Sequence, residues 1–172
     1  TSTNTLNENL NTGSVNGNSY VGGVVGYFYV GGDESFKSYS GSLTNLNNEG
    51  NVSGSANYVG GVVGAAEGST YSGYSREVSI SSSSNKSIVN GTDYTGGIIG
   101  YGSNLVEVSA CINEGNVTGN NYVGGFIGYT TTKTVSKLLE NNNTISGKAY
   151  VGGIAGSTGT LISCTNNGDI VS

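Results

Sequence analysis

The chain has 172 residues, a net charge of −5 and only 10% charged side chains, with 31 Gly, 12 Tyr, and no Pro, His, Met or Trp. Its six Lys and Arg are scattered, which excludes the basic footprint of a nucleic-acid or anionic-membrane partner, and no apolar run reaches the ~20 residues of a membrane-spanning helix. Without His there is no Ser-His or Cys-His dyad and no HExxH zinc helix, so the commonest hydrolytic and metal sites are excluded together.

In chain order the first recurring residue is Asn11, followed by Val15, Gly17 and the segment opening at Tyr20. The same set returns at Asn48, Val52, Gly54 and Tyr58, then at Asn85, Val89, Gly91 and Tyr94. It returns again at Asn113, Val117, Gly119 and Tyr122, and at Asn141, Ile145, Gly147 and Tyr150, with a sixth unit starting at Asn166 and Ile170. Each Tyr opens a segment of the type Tyr-Val-Gly-Gly-Phe-Ile-Gly, with Gly at the third, fourth and seventh places in all five copies. The last three copies are 28 residues apart and the first two gaps are 38 and 36. Fixed periods of this size mark stacked-repeat architectures.

A unit this short, with brief β-branched runs broken by Gly and Asn, has no room for a pair of amphipathic helices. It predicts a right-handed parallel β-helix of about five coils, a single solenoid domain over 1–172, with equivalent residues of neighbouring coils ~4.8 Å apart. The alternative is an antiparallel β-sandwich with hairpins at the Asn-Gly pairs of Asn16, Asn90 and Asn167. In the solenoid, Asn11, Asn48, Asn85, Asn113, Asn141 and Asn166 form a stacked amide ladder, at a corner whose left-handed backbone Asn tolerates. In the Tyr segments both faces carry apolar residues, at Val24 and Val25 for example. The Gly-Gly pair therefore turns a corner, or the outer face is covered. Thr134 to Leu139 has room for one helical turn at most. Cys111 and Cys164 share a repeat position with one coil between them, which puts them beyond the ~7 Å reach of a disulfide. Both are expected to be buried, reduced and unreactive.

The extra residues of the first two repeats lie between Gly26 and Asn48 and between Gly64 and Asn85. They hold the candidate ligand-binding side chains Tyr27, Tyr29, Phe36, Tyr39, Tyr71, Tyr74 and Arg76, expected on one side of adjacent coils, where aromatic faces beside Arg suit sugar rings or an extended peptide. Asp33, Glu34 and Glu67 are the only acids placed for a glycosidase- or lyase-like pair, with Lys37 and Arg76 the only cations near them. Glu49, Glu114 and Asp169 flank turns and read as solvated. No catalytic constellation, metal site or cofactor is expected.

Cys111-Ile-Asn-Glu-Gly-Asn-Val-Thr-Gly-Asn-Asn-Tyr-Val-Gly-Gly-Phe-Ile-Gly-Tyr129 resembles the GLUG-motif repeats of bacterial surface and secreted proteins. Adhesin-like chains and the non-catalytic part of immunoglobulin A1-cleaving metalloproteases carry such repeats. The resemblance covers nearly the whole chain, and departs from the pattern at Ser87 and Thr95 of the third copy. It implies a non-catalytic scaffold, extracellular or on the cell surface, for adhesion or ligand display, with a host glycan or matrix protein as partner. A polysaccharide-binding or polysaccharide-cleaving β-helix is the alternative. The truncated sixth repeat and the start at Thr1 read as an excerpt of a longer protein with flanking domains. An open sheet edge at the sixth repeat predicts end-to-end self-association or a covering segment.

Overall fold

In the computed structural model, which describes residues 2–32, 39–131 and 133–172, the repeats wind into a parallel β-helix with four stacked sheets. The longest sheet receives Ser2–Asn11 and Tyr39–Asn48 from the first two coils. From the third coil on, each rung is two short strands, Glu77–Ser81 and Ser84–Asn85 being the first such pair. The second sheet stacks Val15–Gly17, Val52–Gly54, Val89–Asn90, Val117–Thr118, Ile145–Ser146 and Ile170–Val171. A third runs from Val21–Gly22 to Ala149–Gly152, and a fourth from Val25–Val30 to Ala155–Ser157. Five coils pass through all four sheets, and a sixth contributes to the first two.

Every pairing in these four sheets is parallel, and the recurring positions meet their own kind: Asn11 to Asn48, Val15 to Val52, Val21 to Val59, Val25 to Val63. The antiparallel sandwich is thereby overturned. Asn16 and Asn90 lie in parallel strands rather than at hairpin tips, because the valine before each is paired with a valine of the adjacent coil, which carries Asn16 into register with Ser53 and Asn90 with Ser53 and Thr118. Asn167 follows the strand Thr165–Asn166 and donates its N–H to the Asn141 carbonyl of the neighbouring coil. Among the described residues the one antiparallel pair is a small hairpin, Thr70–Tyr71 with Tyr74–Ser75, within the second insertion. Thr134 to Leu139 makes no helical turn; Val135–Lys137 is a strand paired with its neighbours in both adjacent coils.

Two apolar columns fill the interior. Val21, Val59, Val123 and the second-sheet residues Val52, Val89, Val117 and Ile145 form the smaller cluster. Val62, Ile98 and Phe126 with Val63, Ile99 and Ile127 join Leu43, Ile80 and Val108 in the larger one. Burial of each such side chain contributes ~1.5–3 kcal/mol, so coherent stacking outweighs the modest strength of strands only two or three residues long. The paired apolar positions at Val24 and Val25 are explained by the corner: the chain bends at Gly23 and Val24, leaving the third sheet for the fourth, and both side chains face the larger cluster.

The amide ladder runs unbroken. Asn11 Nδ2 donates to Asn48 Oδ1 at 2.7 Å, Asn48 to Asn85 at 2.8 Å, Asn85 to Asn113 at 2.9 Å, Asn113 to Asn141 at 2.7 Å and Asn141 to Asn166 at 2.7 Å. The second Nδ2 proton of each goes to the carbonyl two residues on, as from Asn113 to Gly115 at 2.8 Å. The four central amides are fully buried, so the ladder satisfies in place what would otherwise be costly buried polar groups. These asparagines do not occupy the left-handed corner expected of them. That conformation falls three residues earlier, at Glu8, Asn45, Ser82, Ala110, Leu138 and Ser163, with φ between 51° and 59°.

Cys111 is buried, its thiol donating to the Ser109 carbonyl at 3.2 Å, and burial pushes its pKa up to about 12. Cys164 is only half-buried, so the expectation of two buried thiols holds for Cys111 alone. Both thiols are free.

Candidate functional site

The outer corner between the second and third sheets is built from the residue that opens each repeat segment. Tyr20, Tyr58, Tyr94, Tyr122 and Tyr150 all have left-handed backbones, with φ of 55°, 66°, 56°, 54° and 53°. For a bulky L-residue this conformation costs ~1–2 kcal/mol, and it persists only where the surroundings over-determine it. Here the next coil does so: Tyr20, Tyr58 and Tyr94 donate their N–H to Asn57, Asp93 and Asn121, and the carbonyls of Tyr58 and Tyr94 accept from Val21 and Val59. The corner throws each phenol outward into a stack. Successive ring centroids are 4.9, 5.3, 5.2 and 4.4 Å apart, and the planes close from 37° to 3° along the file.

A second column stands beside the first on the fourth sheet, where Tyr27, Ala65, Tyr101, Tyr129 and Ser157 are in register. Tyr101 and Tyr129 stack at 5.8 Å and 5°, and each meets rings of the first file nearly edge-on, Tyr129 against Tyr122 at 5.5 Å and 87°. Such edge-to-face contacts are each worth ~0.5–1.5 kcal/mol beyond burial. Because rings within a file cover one another's faces, the wall presents ring edges and phenol hydroxyls to solvent along the axis of the helix.

Glu67 is an acid of this wall. It occupies the next outward position of the fourth sheet, in register with Tyr29 on one side and Ser103 on the other. Burial raises its carboxyl above the ordinary carboxylate range. The phenols of Tyr27, Tyr58 and Tyr101 are raised too, first by their own burial and then in part by the charge of Glu67.

The residues singled out from the insertions divide into separate places. Tyr27 and Tyr29 are exposed and belong to the wall, stacked on each other at 6.2 Å and 13°, with Tyr27 edge-on to Tyr20 at 5.3 Å. Tyr71 and Tyr74 are exposed and face each other across the hairpin. Tyr39 is half-buried against the larger apolar cluster. Arg76 is 1% exposed, its Nη1 reaching Ser69 Oγ at 3.4 Å and its guanidinium 6.0 Å from the Tyr71 ring centroid. It anchors the hairpin from below rather than offering a cation to a ligand. Phe36, Asp33, Glu34 and Lys37 lie outside the described residues. The sequence reading passed over Tyr20, Tyr58, Tyr94, Tyr101, Tyr122, Tyr129 and Tyr150, although their recurrence at two repeat positions was itself the signal.

Elsewhere the charged groups form surface contacts between coils. Lys86 pairs with Glu49 at 3.0 Å, which raises the Lys86 pKa through that hydrogen bond, and Lys137 pairs with Glu107 at 2.6 Å, which holds the Glu107 carboxyl below its usual range. Among the described residues no three His, Cys, Asp or Glu side chains converge on one point. The architecture is thus that of a parallel β-helix with a tyrosine wall along one corner. Comparison with protein-family models, with curated proteins and with solved structures gives no match for the chain.

Proposed function

We propose that this chain is a non-catalytic scaffold of a bacterial cell-surface or secreted protein, and that it holds an adhesive aromatic surface on a rigid axis. The observation that carries the reading is the tyrosine wall. Five left-handed corners are maintained at a conformational cost to hold phenols outward, in a fold whose interior is already satisfied by the asparagine ladder and two apolar columns. Interior packing does not call for those rings. Phenol edges and hydroxyls beside one carboxyl suit a saccharide, so a host glycan is the favoured ligand and a matrix protein the other candidate. The resemblance of residues 111–129 to GLUG repeats supports the same placement outside the cell.

The test is a binding screen over glycans and matrix proteins with three proteins: the wild type, a variant with Tyr27, Tyr29, Tyr71 and Tyr74 changed to Ala, and one with Tyr94, Tyr122 and Tyr150 changed to Ser. Circular dichroism confirms folding of each. Loss in the first variant assigns adhesion to the first-coil end of the wall at Tyr27 and Tyr29 or to the hairpin of Tyr71 and Tyr74, and loss in the second assigns it to the main file. If the wild type binds nothing, the chain is a passive spacer and the adhesive part of the reading falls.

A second reading, a polysaccharide-cleaving β-helix, draws on Glu67, since a carboxyl whose affinity for its proton is raised by burial is the kind a general acid needs. Release of new reducing ends by the wild type and not by Glu67→Gln would establish it. No release from a panel of acidic and neutral polysaccharides discards it.

A further inference from the structure

We infer that the tyrosine file is an oxidative cross-linking site, and that a peroxide-driven one-electron oxidant couples Tyr122 to Tyr150 as an intramolecular dityrosine. Of the four steps in the file this one is the closest and flattest, with centroids 4.4 Å apart and planes inclined by 3°. Tyr150 is 62% exposed, so an oxidant reaches its ring and the ring has room to swing about its own side-chain bonds toward its neighbour. Tyr122 is held from its other side by Tyr94 at 5.2 Å and edge-on by Tyr129 at 5.5 Å, which fixes the acceptor ring in place. The backbones of 149–152 and 121–124 are paired in register, so both Cα positions stay fixed while the rings move.

The chemistry balances with a peroxide as the terminal oxidant and a haem peroxidase as its carrier. Each phenol loses one electron and its hydroxyl proton to give a phenoxyl radical. The two radicals combine by forming a carbon–carbon bond between one Cε of each ring. The hydrogen on each joined Cε then leaves as a proton and each oxygen takes one up, restoring two phenols. Two hydrogens leave the protein, and one hydrogen peroxide becomes two waters. The product staples two adjacent coils on their outer face, where strands of two to four residues otherwise hold them.

Distance and alignment together favour this pair over the others. Tyr20 and Tyr58 are inclined by 37° and Tyr58 and Tyr94 by 23°; Tyr94 with Tyr122 and Tyr101 with Tyr129 are nearly as flat, at 6° and 5°, but their centroids are 5.2 and 5.8 Å apart, and Tyr71 with Tyr74 sits on a separate hairpin. Trypsin makes the site easy to read: cuts after Lys86, Lys133 and Lys148 leave Tyr150 as the single tyrosine of peptide 149–172, and Tyr122 in peptide 87–133.

The experiment oxidises a dilute equal mixture of normal and heavy-isotope protein with peroxidase and hydrogen peroxide, then maps the tryptic peptides by fragmentation. The expected product joins 149–172 to 87–133 through Tyr122, weighs two hydrogens less than the sum, and contains only light–light and heavy–heavy pairs. Tyr150→Phe and Tyr122→Phe should each reduce that product to background, while Tyr74→Phe leaves it at the wild-type level. Phe keeps the ring and removes the phenol, and a melting curve for each variant checks that the fold persists. Mixed light–heavy pairs, coupling through Tyr94, Tyr101 or Tyr129 instead, or no dityrosine at all would each overturn the inference.

Discussion

Replacing Asn113 by Ala removes one rung from the middle of the buried ladder, and its cost is readable from the partners left behind. Asn85 loses the acceptor of one Nδ2 proton at 2.9 Å, Asn141 Oδ1 loses its donor at 2.7 Å, and the Gly115 carbonyl loses its donor at 2.8 Å. Each buried polar group left unmatched costs ~1–3 kcal/mol, so three of them come to about 3 kcal/mol at the least. That is a large part of the ~5–15 kcal/mol that holds a domain folded. Asn166→Ala makes the internal control. Asn166 is exposed, water replaces it as the partner of Asn141, and the expected loss is ~0.5–1.5 kcal/mol. A solenoid opens by coils and not all at once, so the assay pairs urea titration with residue-resolved hydrogen exchange. Asn113→Ala should lower protection in the coils of Asn85, Asn113 and Asn141 together. Equal costs at the two sites, or a loss of protection confined to the substituted coil, would refute the claim that the amides act as one connected file.

Gly97→Ala should destabilise by several kcal/mol in the same titration, because a Cβ there would meet the Gly125 carbonyl and the Asn113 amide. Gly73→Ala, at φ +80° on the hairpin with nothing near its missing Cβ, should cost only the ~1 kcal/mol of a left-handed alanine. A maleimide should label Cys164 in the native protein and Cys111 only after unfolding, since burial holds the Cys111 thiol at about 12; equal native rates would contradict the burial. For Glu67 the raised carboxyl means that the native state binds its proton more tightly than the unfolded chain does. Stability should therefore fall as pH rises from the ordinary carboxylate range through the raised value. Glu67→Gln should abolish that fall and leave the protein more stable at neutral pH; identical pH profiles would exclude the effect.

The stacking was legible in the sequence because a parallel β-helix writes its three-dimensional neighbours as a period. Asn48 beside Asn85, and Val52 beside Val89, are adjacent in space for the same reason that they align in the repeat. The corners were not legible. The left-handed column at Glu8, Asn45, Ser82, Ala110, Leu138 and Ser163 mixes acid, amide, hydroxyl and aliphatic side chains, and of these types only Asn has an intrinsic liking for that conformation. Flanking strands, clamped to the coils above and below, impose the turn on whichever residue falls there. The same holds for the tyrosines, which a propensity argument would assign to extended backbone. Arg76 misled for another reason: beside exposed aromatics in an insertion it reads as a surface cation, and only the hairpin folding over it reveals its burial.

The asparagines, glycines and tyrosines express one constraint. A Cβ on Gly23, Gly61, Gly97, Gly125 or Gly153 would run into the ladder asparagine of the following repeat, so the buried amides exist only where the facing column is bare. A Cβ on Gly22, Gly60, Gly96, Gly124 or Gly152 would strike the carbonyl three residues on, so the bend into the fourth sheet needs glycine for space and not for a positive φ. That bend follows directly on the tyrosine corner, which leaves no place in this part of the coil for a change of length. The chain is free elsewhere: between the fourth sheet and the long sheet the connections are residues 31–38, 69–76, 104, 131–134 and 158–159, and nearly all the variation among repeats falls there. The two longest connections are equal in length and their registers agree on both sides, Val30 with Gly68 and Ser40 with Glu77. Against the short connection at residue 104 the register holds before it, Ser103 with Glu67, and shifts once after it, between Val78 with Leu105 and Ser79 with Glu107. Variation of the surface is therefore confined by the packing itself to two places. One is the phenol wall, whose chemistry changes by substitution at an outward position, and the other is this corner, where whole segments are added at the expense of one local irregularity in the long sheet, beside Val78 and Ser79.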